Sequence, residues 1–83
     1  MNELLSQADR LRNFIANTTN KDIITIDNET LLFDDGFMDS LAFLSIVGFI
    51  KDEFSIEIGG DDLTEENFRS ISNIIDFIKK KTN

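Results

Sequence analysis

One serine of this 83-residue chain is placed where its hydroxyl could do chemistry. In Asp39-Ser40-Leu41 the aspartate directly precedes an apolar helical pattern, which is a preferred position for an N-cap. Ser40 is then the first helical residue, beside backbone amides that lack an intrahelical partner and near the positive end of the helix dipole. A phosphodiester attached there would be stabilised. We interpret Ser40 as a modification site.

The helix that follows Ser40 is predicted to extend to about Glu53. Met38 and Phe43 have the N′ and N4 spacing of a hydrophobic staple, which would fix the direction in which the chain enters the helix. The residues predicted to face inward are Leu44, Ile46, Val47, Ile50 and Phe54. The other side carries an uncharged stripe that consists of Leu41, Ala42, Ser45 and Gly48. We interpret the stripe as a docking surface for a partner, the alternative being a helix buried on two sides.

Two further long helices are predicted from their apolar spacing. The first extends from Asn2 to Asn17, and its apolar positions are Leu4, Leu5, Ala8, Leu11, Phe14 and Ile15. The last is capped by Ser70 and has Ile71, Ile74, Ile75 and Ile78 on one face. A threonine followed by two acids predicts one short helical turn over residues 64–68, anchored by Phe68.

The connection between the first two long helices is predicted to be a long loop. Its β-like run Ile23-Ile24-Thr25-Ile26 has no second strand to pair with, so we expect an extended segment. Asp34-Asp35-Gly36 predicts a turn just before the serine helix. The predicted fold is all-α: residues 1–83 form a single domain, a small four-helix bundle of three longer helices and one short helix, with the long loop between helices 1 and 2.

The composition argues against several classes of function. The chain has no cysteine and no histidine, so it lacks thiolate ligands and the commonest general base, and we do not expect an enzyme. Sixteen acidic and eight basic residues give a formal net charge of −8, which disfavours nucleic acid and anionic lipid. We see no signal peptide and no membrane-spanning segment, and we expect a cytoplasmic monomer.

Metal binding is an alternative role for the acidic residues before the helix. Asp34, Asp35 and Asp39 could together hold calcium, but the run lacks the alternating ligands and the terminal glutamate of an EF-hand. We expect no metal site, and at most a weak rise of the melting temperature with calcium.

The tripeptide Asp39-Ser40-Leu41 belongs to a longer pattern that resembles a known family. It is followed by Leu44, Ile46, Val47, Ile50, Phe54, Ile56 and Ile58, and the likeness to acyl and aminoacyl carrier proteins extends from about Leu32 to Ile78. The resemblance implies that a transferase attaches 4′-phosphopantetheine from coenzyme A to Ser40 and recognises Asp39 and Leu41. It also implies that acyl groups travel as thioesters on that arm.

Two details steer the resemblance within the family. Gly36 lies four residues before the serine rather than three, and Ala42, Ser45 and Lys51 stand where carriers of fatty-acid synthases tend to be acidic. The chain is more similar to stand-alone aminoacyl and D-alanyl carriers, which implies an adenylating ligase and downstream acyl-transferring enzymes as partners. Carriers of polyketide or specialised fatty-acid pathways share these features.

Eight phenylalanines favour a short or polar cargo, since they can fill the space between helices.

A different class of function also fits the composition. An acidic helical interaction module without a prosthetic group would use the stripe around Leu41 to bind one partner, and Ser40 would then be only a helix-start residue.

Overall fold

The computed structural model describes residues 3–34 and 38–82, with side chains from residue 7 onward. Three α-helices form the frame: α1 (Glu3–Thr19), α2 (Ser40–Phe54) and α3 (Ile71–Thr82). The 3₁₀ turns between them include Ile23–Thr25 and Gly60–Asp62. The described residues contain no strand, so the predicted all-helical class is confirmed. None of the described helices is long and apolar enough to cross a membrane.

Helix α1 packs one apolar stripe into the core and ends in a defined cap. The buried residues of the stripe are Ala8, Leu11, Ile15 and Ala16. Asn20 adopts the left-handed conformation with φ 57°, and the N–H of Lys21 donates to the carbonyl of Ala16 at 3.0 Å. This 6→1 hydrogen bond is that of a Schellman motif, which stops the helix and turns the chain sharply.

Helix α2 buries the face that carries Ala42, Ile46, Val47 and Ile50. The inward orientation predicted for Leu44 is wrong, because 59 % of this side chain is exposed. At 3.6 residues per turn, a face centred on Ala42, Ile46 and Ile50 leaves position 44 on the opposite side of the helix. Leu44 therefore belongs with the outward stripe. The helix ends before Ser55, which is left-handed with φ 53°.

Helix α3 begins at the predicted cap. The hydroxyl oxygen of Ser70 accepts the N–H of Asn73 at 3.2 Å, and the Ser70 carbonyl accepts the N–H of Ile74 at 3.0 Å. The buried residues of the helix are Ile71, Ile74, Phe77 and Ile78. The last turn contains Lys79, Lys80 and Lys81, and positive charges there interact favourably with the negative end of the helix dipole.

Phenylalanines join the three helices inside the core. Phe43 of α2 meets the edge of Phe68 at 5.3 Å between ring centroids, and Phe68 in turn lies 5.4 Å from Phe77 of α3. Phe14 of α1 stacks on Phe49 of α2 at 4.3 Å. Such pairs contribute about 0.5–1.5 kcal/mol each beyond the area they bury. The start of α2 is thus packed against the segment that precedes α3.

The segment between the Gly60–Asp62 turn and α3 differs from the prediction of a short helix. Thr64 Oγ1 accepts the N–H of Asn67 at 3.2 Å, and the N–H of Phe68 donates to the carbonyl of Glu65 at 3.2 Å. These bonds make turns over residues 65–68, with Phe68 fully buried as the anchor. The four-helix count is therefore not confirmed.

The connection from α1 to α2 is fastened to the beginning of α3. The N–H of Leu32 donates to the carbonyl of Arg69 at 2.8 Å, and the N–H of Ser72 donates to the carbonyl of Asn28 at 2.9 Å. A further correction concerns residues 23–25, which form a 3₁₀ turn rather than an extended segment. Asp22 caps that turn and accepts the N–H of Ile24 at 3.0 Å.

The acidic turn predicted just before α2 falls mostly on residues that the structure does not describe. Asp35, Gly36 and Phe37 lie outside the described residues. Within the described part of the chain, no group of three or more aspartates, glutamates, histidines or cysteines could hold a metal ion.

Candidate functional site

The start of α2 has the cap geometry that the sequence predicts. Asp39 has an extended backbone with φ −90° and ψ −179°, and its Oδ1 accepts the N–H of Ala42 at 2.8 Å. The Asp39 carbonyl accepts the N–H of Phe43 at 2.9 Å, which is the first hydrogen bond of the helix. One of the four orphan amides of the helix start is therefore satisfied by the aspartate side chain.

Ser40 is the first residue of this helix, and its side chain is exposed. Met38 is buried with 8 % exposure, and Phe43 packs against the core, so the residues at the two staple positions hold the helix start from within. The backbone N–H groups of Ser40 and Leu41 have no carbonyl available within the helix. The hydroxyl of Ser40 thus lies outside the core, at the positive end of the α2 dipole.

Other serines near a helix start are placed differently. Ser70 is 2 % exposed, and its hydroxyl is hydrogen-bonded to Asn73. The Ser72 hydroxyl donates to Glu29 Oε2 at 2.5 Å. These two hydroxyls fasten the chain internally, whereas Ser40 presents its own to the surface.

A groove of about 350 Å³ opens beside the start of α2. Its lining comes from the end of α1, the turn after it and the first turns of α2, and the residues are Thr18, Thr19, Lys21, Asp39, Leu41, Ala42 and Ser45. Among the described residues that line it, Lys21 carries a positive charge and Asp39 a negative one. Sequence reasoning missed Thr18, Thr19 and Lys21 as site residues. The sequence feature that could have indicated them is Asn20, a residue type that often ends a helix in the left-handed conformation and here precedes Lys21.

The outward surface of α2 consists of uncharged residues over its first three turns, before the exposed charges of its last turn. Leu41 is 77 % exposed and Leu44 is 59 % exposed, while Ser45 is exposed and Gly48 is half-buried. We call these four residues the uncharged face of α2. Ala42, which the sequence analysis placed on this stripe, is only 7 % exposed and borders the groove instead. Exposed leucines in such a group are typical of a surface that binds a partner.

An acidic group far along the chain from Ser40 fastens the end of α3. The Asp62 carboxylate pairs with the Lys81 ammonium at 2.7 Å and accepts the N–H of Gly59 at 3.0 Å. The hydrogen bond from Lys81, followed by that from Gly59, holds the pKa of Asp62 below its ordinary value.

Comparison with known proteins agrees with this arrangement. Residues 9–78 match the family model described as phosphopantetheine attachment site. An acyl carrier protein of Buchnera aphidicola subsp. Baizongia pistaciae is 40 % identical over 55 residues, which are 66 % of this chain and 68 % of that protein. The acyl carrier protein AcpXL of Mesorhizobium japonicum is 41 % identical over 58 residues, which are 70 % of this chain but only 62 % of AcpXL.

The chain belongs to the acyl carrier protein family. Members of the family bear covalent 4′-phosphopantetheine on a serine, and they are carriers rather than catalysts. They interact with a phosphopantetheinyl transferase and with acyl-handling enzymes.

The residues at the start of α2 fit such a group. An exposed hydroxyl is required for attachment, and Ser40 supplies one at a helix N-terminus, where backbone amides favour an anion. The groove next to it has room and polar side chains. When bound, the group supplies the thiol that this cysteine-free chain lacks.

Proposed function

We propose that this protein is an acyl or aminoacyl carrier whose 4′-phosphopantetheine is attached to Ser40. The observation that carries the proposal is the exposed Ser40 hydroxyl at the first position of a capped helix, inside the segment that matches the family. The whole of residues 1–83 would act as one carrier domain.

In the loading reaction, Ser40 Oγ forms a new bond to the phosphorus of coenzyme A that bears the pantetheine. The phosphoanhydride bond breaks, 3′,5′-ADP leaves, and the hydroxyl proton goes to a base of the transferase. The chain has no histidine to act as that base. Its own contribution is to hold the hydroxyl in place, because the cap on Ala42 and the core packing of Phe43 fix the first turn of α2.

Partner recognition is assigned to the same end of α2. We propose that the transferase contacts Asp39 and Leu41, and that the uncharged face of α2 contacts acyl-handling enzymes. Two exposed leucines one turn apart support this, since they can insert into an apolar groove of a partner. The sequence resemblance points to an adenylating ligase as the enzyme that loads the arm, and to downstream acyl-transferring enzymes that unload it.

The cargo and the setting are also part of the proposal. Aromatic rings occupy the space between α2 and α3, where the ring of Phe68 contacts Phe43 on one side and Phe77 on the other. This packing supports a short or polar cargo that stays on the surface. The net charge of −8 supports a monomer that works apart from nucleic acid and lipid, and we propose that it works in the cytoplasm.

The deciding experiment is mass spectrometry of the purified chain after incubation with coenzyme A and a broad-specificity phosphopantetheinyl transferase. We expect a gain of one phosphopantetheine per chain, located by peptide fragmentation on Ser40. Ser40→Ala should remain folded and gain nothing, and Ser45→Ala, which alters the nearby exposed serine, should be loaded as the wild type is. An unchanged mass for folded wild-type protein would instead support the interaction module without a prosthetic group.

Native cargo can be identified in the same way. Loaded protein isolated from its source, kept at mildly acidic pH to protect the thioester, should show a second mass increment that hydroxylamine removes. An increment of a long acyl chain would contradict the short or polar cargo.

A further inference from the structure

We propose that the groove beside the start of α2 is a resting site for the 4′-phosphopantetheine arm, with Lys21 neutralising its phosphodiester. This inference rests on the proposed attachment at Ser40. It assigns to Lys21, Thr18 and Ser45 a role in holding the arm between visits to partner enzymes.

The first argument is electrostatic. The carboxylate next to Ser40 already occupies the amide of Ala42, at 2.8 Å, so a phosphodiester on Ser40 adds a second negative charge beside Asp39. The whole chain carries a formal charge of −8, which increases the repulsion. A cation on the same groove reduces both effects, and Lys21 lines the groove together with Asp39.

The second argument is that Lys21 is held at this place by its backbone. The Schellman hydrogen bond from Lys21 to Ala16 and the left-handed Asn20 determine where the chain leaves α1. The packing of α1 on α2, which includes the stacked rings of Phe14 and Phe49 at 4.3 Å, determines how far that exit lies from Ser40. The backbone of Lys21 is therefore positioned by the end of α1 and by the packing of α1 on α2.

The third argument is the match between the groove and the chemistry of the arm. After its phosphodiester, the arm has a hydroxyl, two methyl groups on one carbon, two amides and a terminal thiol. The groove offers hydroxyls from Thr18 and Ser45 for the amides and an apolar wall from Leu41 and Ala42 for the methyl groups. Its volume of about 350 Å³ falls within the range of small-molecule sites, which is about 300–1,000 Å³.

The test is NMR on the full chain loaded from coenzyme A whose pantetheine is labelled with ¹³C and ¹⁵N, taken to complete loading as judged by mass. We expect nuclear Overhauser effects between the arm's methyl groups and the methyl groups of Leu41 and Ala42. We also expect backbone-like order parameters for the arm amides, above about 0.6, where freely moving groups fall below that value.

Matched variants distinguish a specific effect of the Lys21 charge from the effect of removing any one positive charge. Lys21→Gln should lose the Overhauser effects and lower the order parameters of the arm amides below about 0.6. Lys80→Gln makes the same charge change on the exposed end of α3 and should leave both unchanged. Ser45→Phe fills the groove without altering charge, so it should release the arm even if Lys21→Gln perturbs the fold.

The outcomes also separate this inference from the proposed function. If the mass does not rise, attachment at Ser40 is wrong. If the protein is fully loaded but the wild-type arm shows no contact with Leu41 or Ala42 and low order parameters, attachment stands and the resting site is refuted. Equal effects of Lys21→Gln and Lys80→Gln would refute the specific role of Lys21.

Discussion

Replacing Asp39 by alanine tests whether the helix start is held by a local cap. The Asp39→Ala variant loses the hydrogen bond from Ala42 N–H to Oδ1, which measures 2.8 Å, while the carbonyl of residue 39 still accepts from Phe43. A lost aspartate cap costs about 1 kcal/mol, within a range of about 0.5–2. For a domain of 60–100 residues, each kcal/mol lowers the melting temperature by about 4–8 °C.

Asparagine at the same position separates the hydrogen bond from the charge. Asn caps about as well as Asp, so Asp39→Asn keeps the bond and loses only the interaction of the charge with the helix dipole. That charge term is about 0.3–1 kcal/mol at an exposed position and is screened by salt, whereas the hydrogen bond is not. We therefore expect Asp39→Asn to lie close to the wild type in high salt, and the deficit of Asp39→Ala to persist there.

The assay is thermal unfolding followed by circular dichroism at low and high salt, combined with the loading assay. Ser40→Ala serves as the control, since it changes an exposed side chain that follows the cap. It should unfold as the wild type does and fail to be loaded, whereas Asp39→Ala should be destabilised. An unchanged melting temperature for Asp39→Ala, or equal destabilisation by alanine and asparagine in high salt, would refute the local-cap argument.

Two further predictions follow from the core and from the end of α3. Phe68→Ala removes a fully buried ring in contact with Phe43 and Phe77, so it should lower the free energy of unfolding by about 3–5 kcal/mol, out of the roughly 4–12 kcal/mol expected for a domain of this size. Leu44→Ala, at an exposed position, should change the free energy of unfolding measured with a chemical denaturant by less than about 0.5 kcal/mol. Equal losses in the two variants would contradict the assigned burial. Because the pKa of Asp62 is lowered in the folded state by Lys81 and Gly59, its stabilising effect is present above the ordinary aspartate pKa of about 3.9 and is lost as the pH falls through the lower folded value. The melting-temperature difference between wild type and Asp62→Asn should therefore be constant near neutral pH and vanish in acid, and a difference that grows in acid would show that the sign is wrong.

Local signals in the sequence predicted the parts of this structure that depend on neighbouring residues. The caps at Asp39 and Ser70 were predictable because a capping side chain acts on amides two or three residues ahead of it. The isoleucine stripe of α3 was predictable from its spacing. The 3₁₀ turn at Ile23–Thr25 was missed because β-propensity outweighed the cap offered by Asp22.

The parts that were missed depend on tertiary packing. Leu44 satisfies the apolar spacing of a buried residue, and only the direction in which Ala42, Ile46 and Ile50 face decides that it points outward. The turns over 65–68 carry helix-start signals from Thr64, yet the chain must reach α3 within a few residues and buries Phe68 instead. Lys21 gives no signal by itself, since its place on the groove with Asp39 and Leu41 arises from the cap of α1 and the packing of α1 on α2.

This difference between local and tertiary features has a consequence for the candidate site. The Ser40 hydroxyl is presented by a cap formed within three residues, so it should remain in place as long as α2 is helical. The groove needs α1 and α2 to be packed together, because its two walls come from different helices. Loosening the Phe14–Phe49 stack should therefore open the groove before it disturbs the cap. Attachment at Ser40 and retention of the arm are thus separable properties of the fold, and a Phe14→Ala variant that is still loaded but no longer holds the arm would demonstrate the separation.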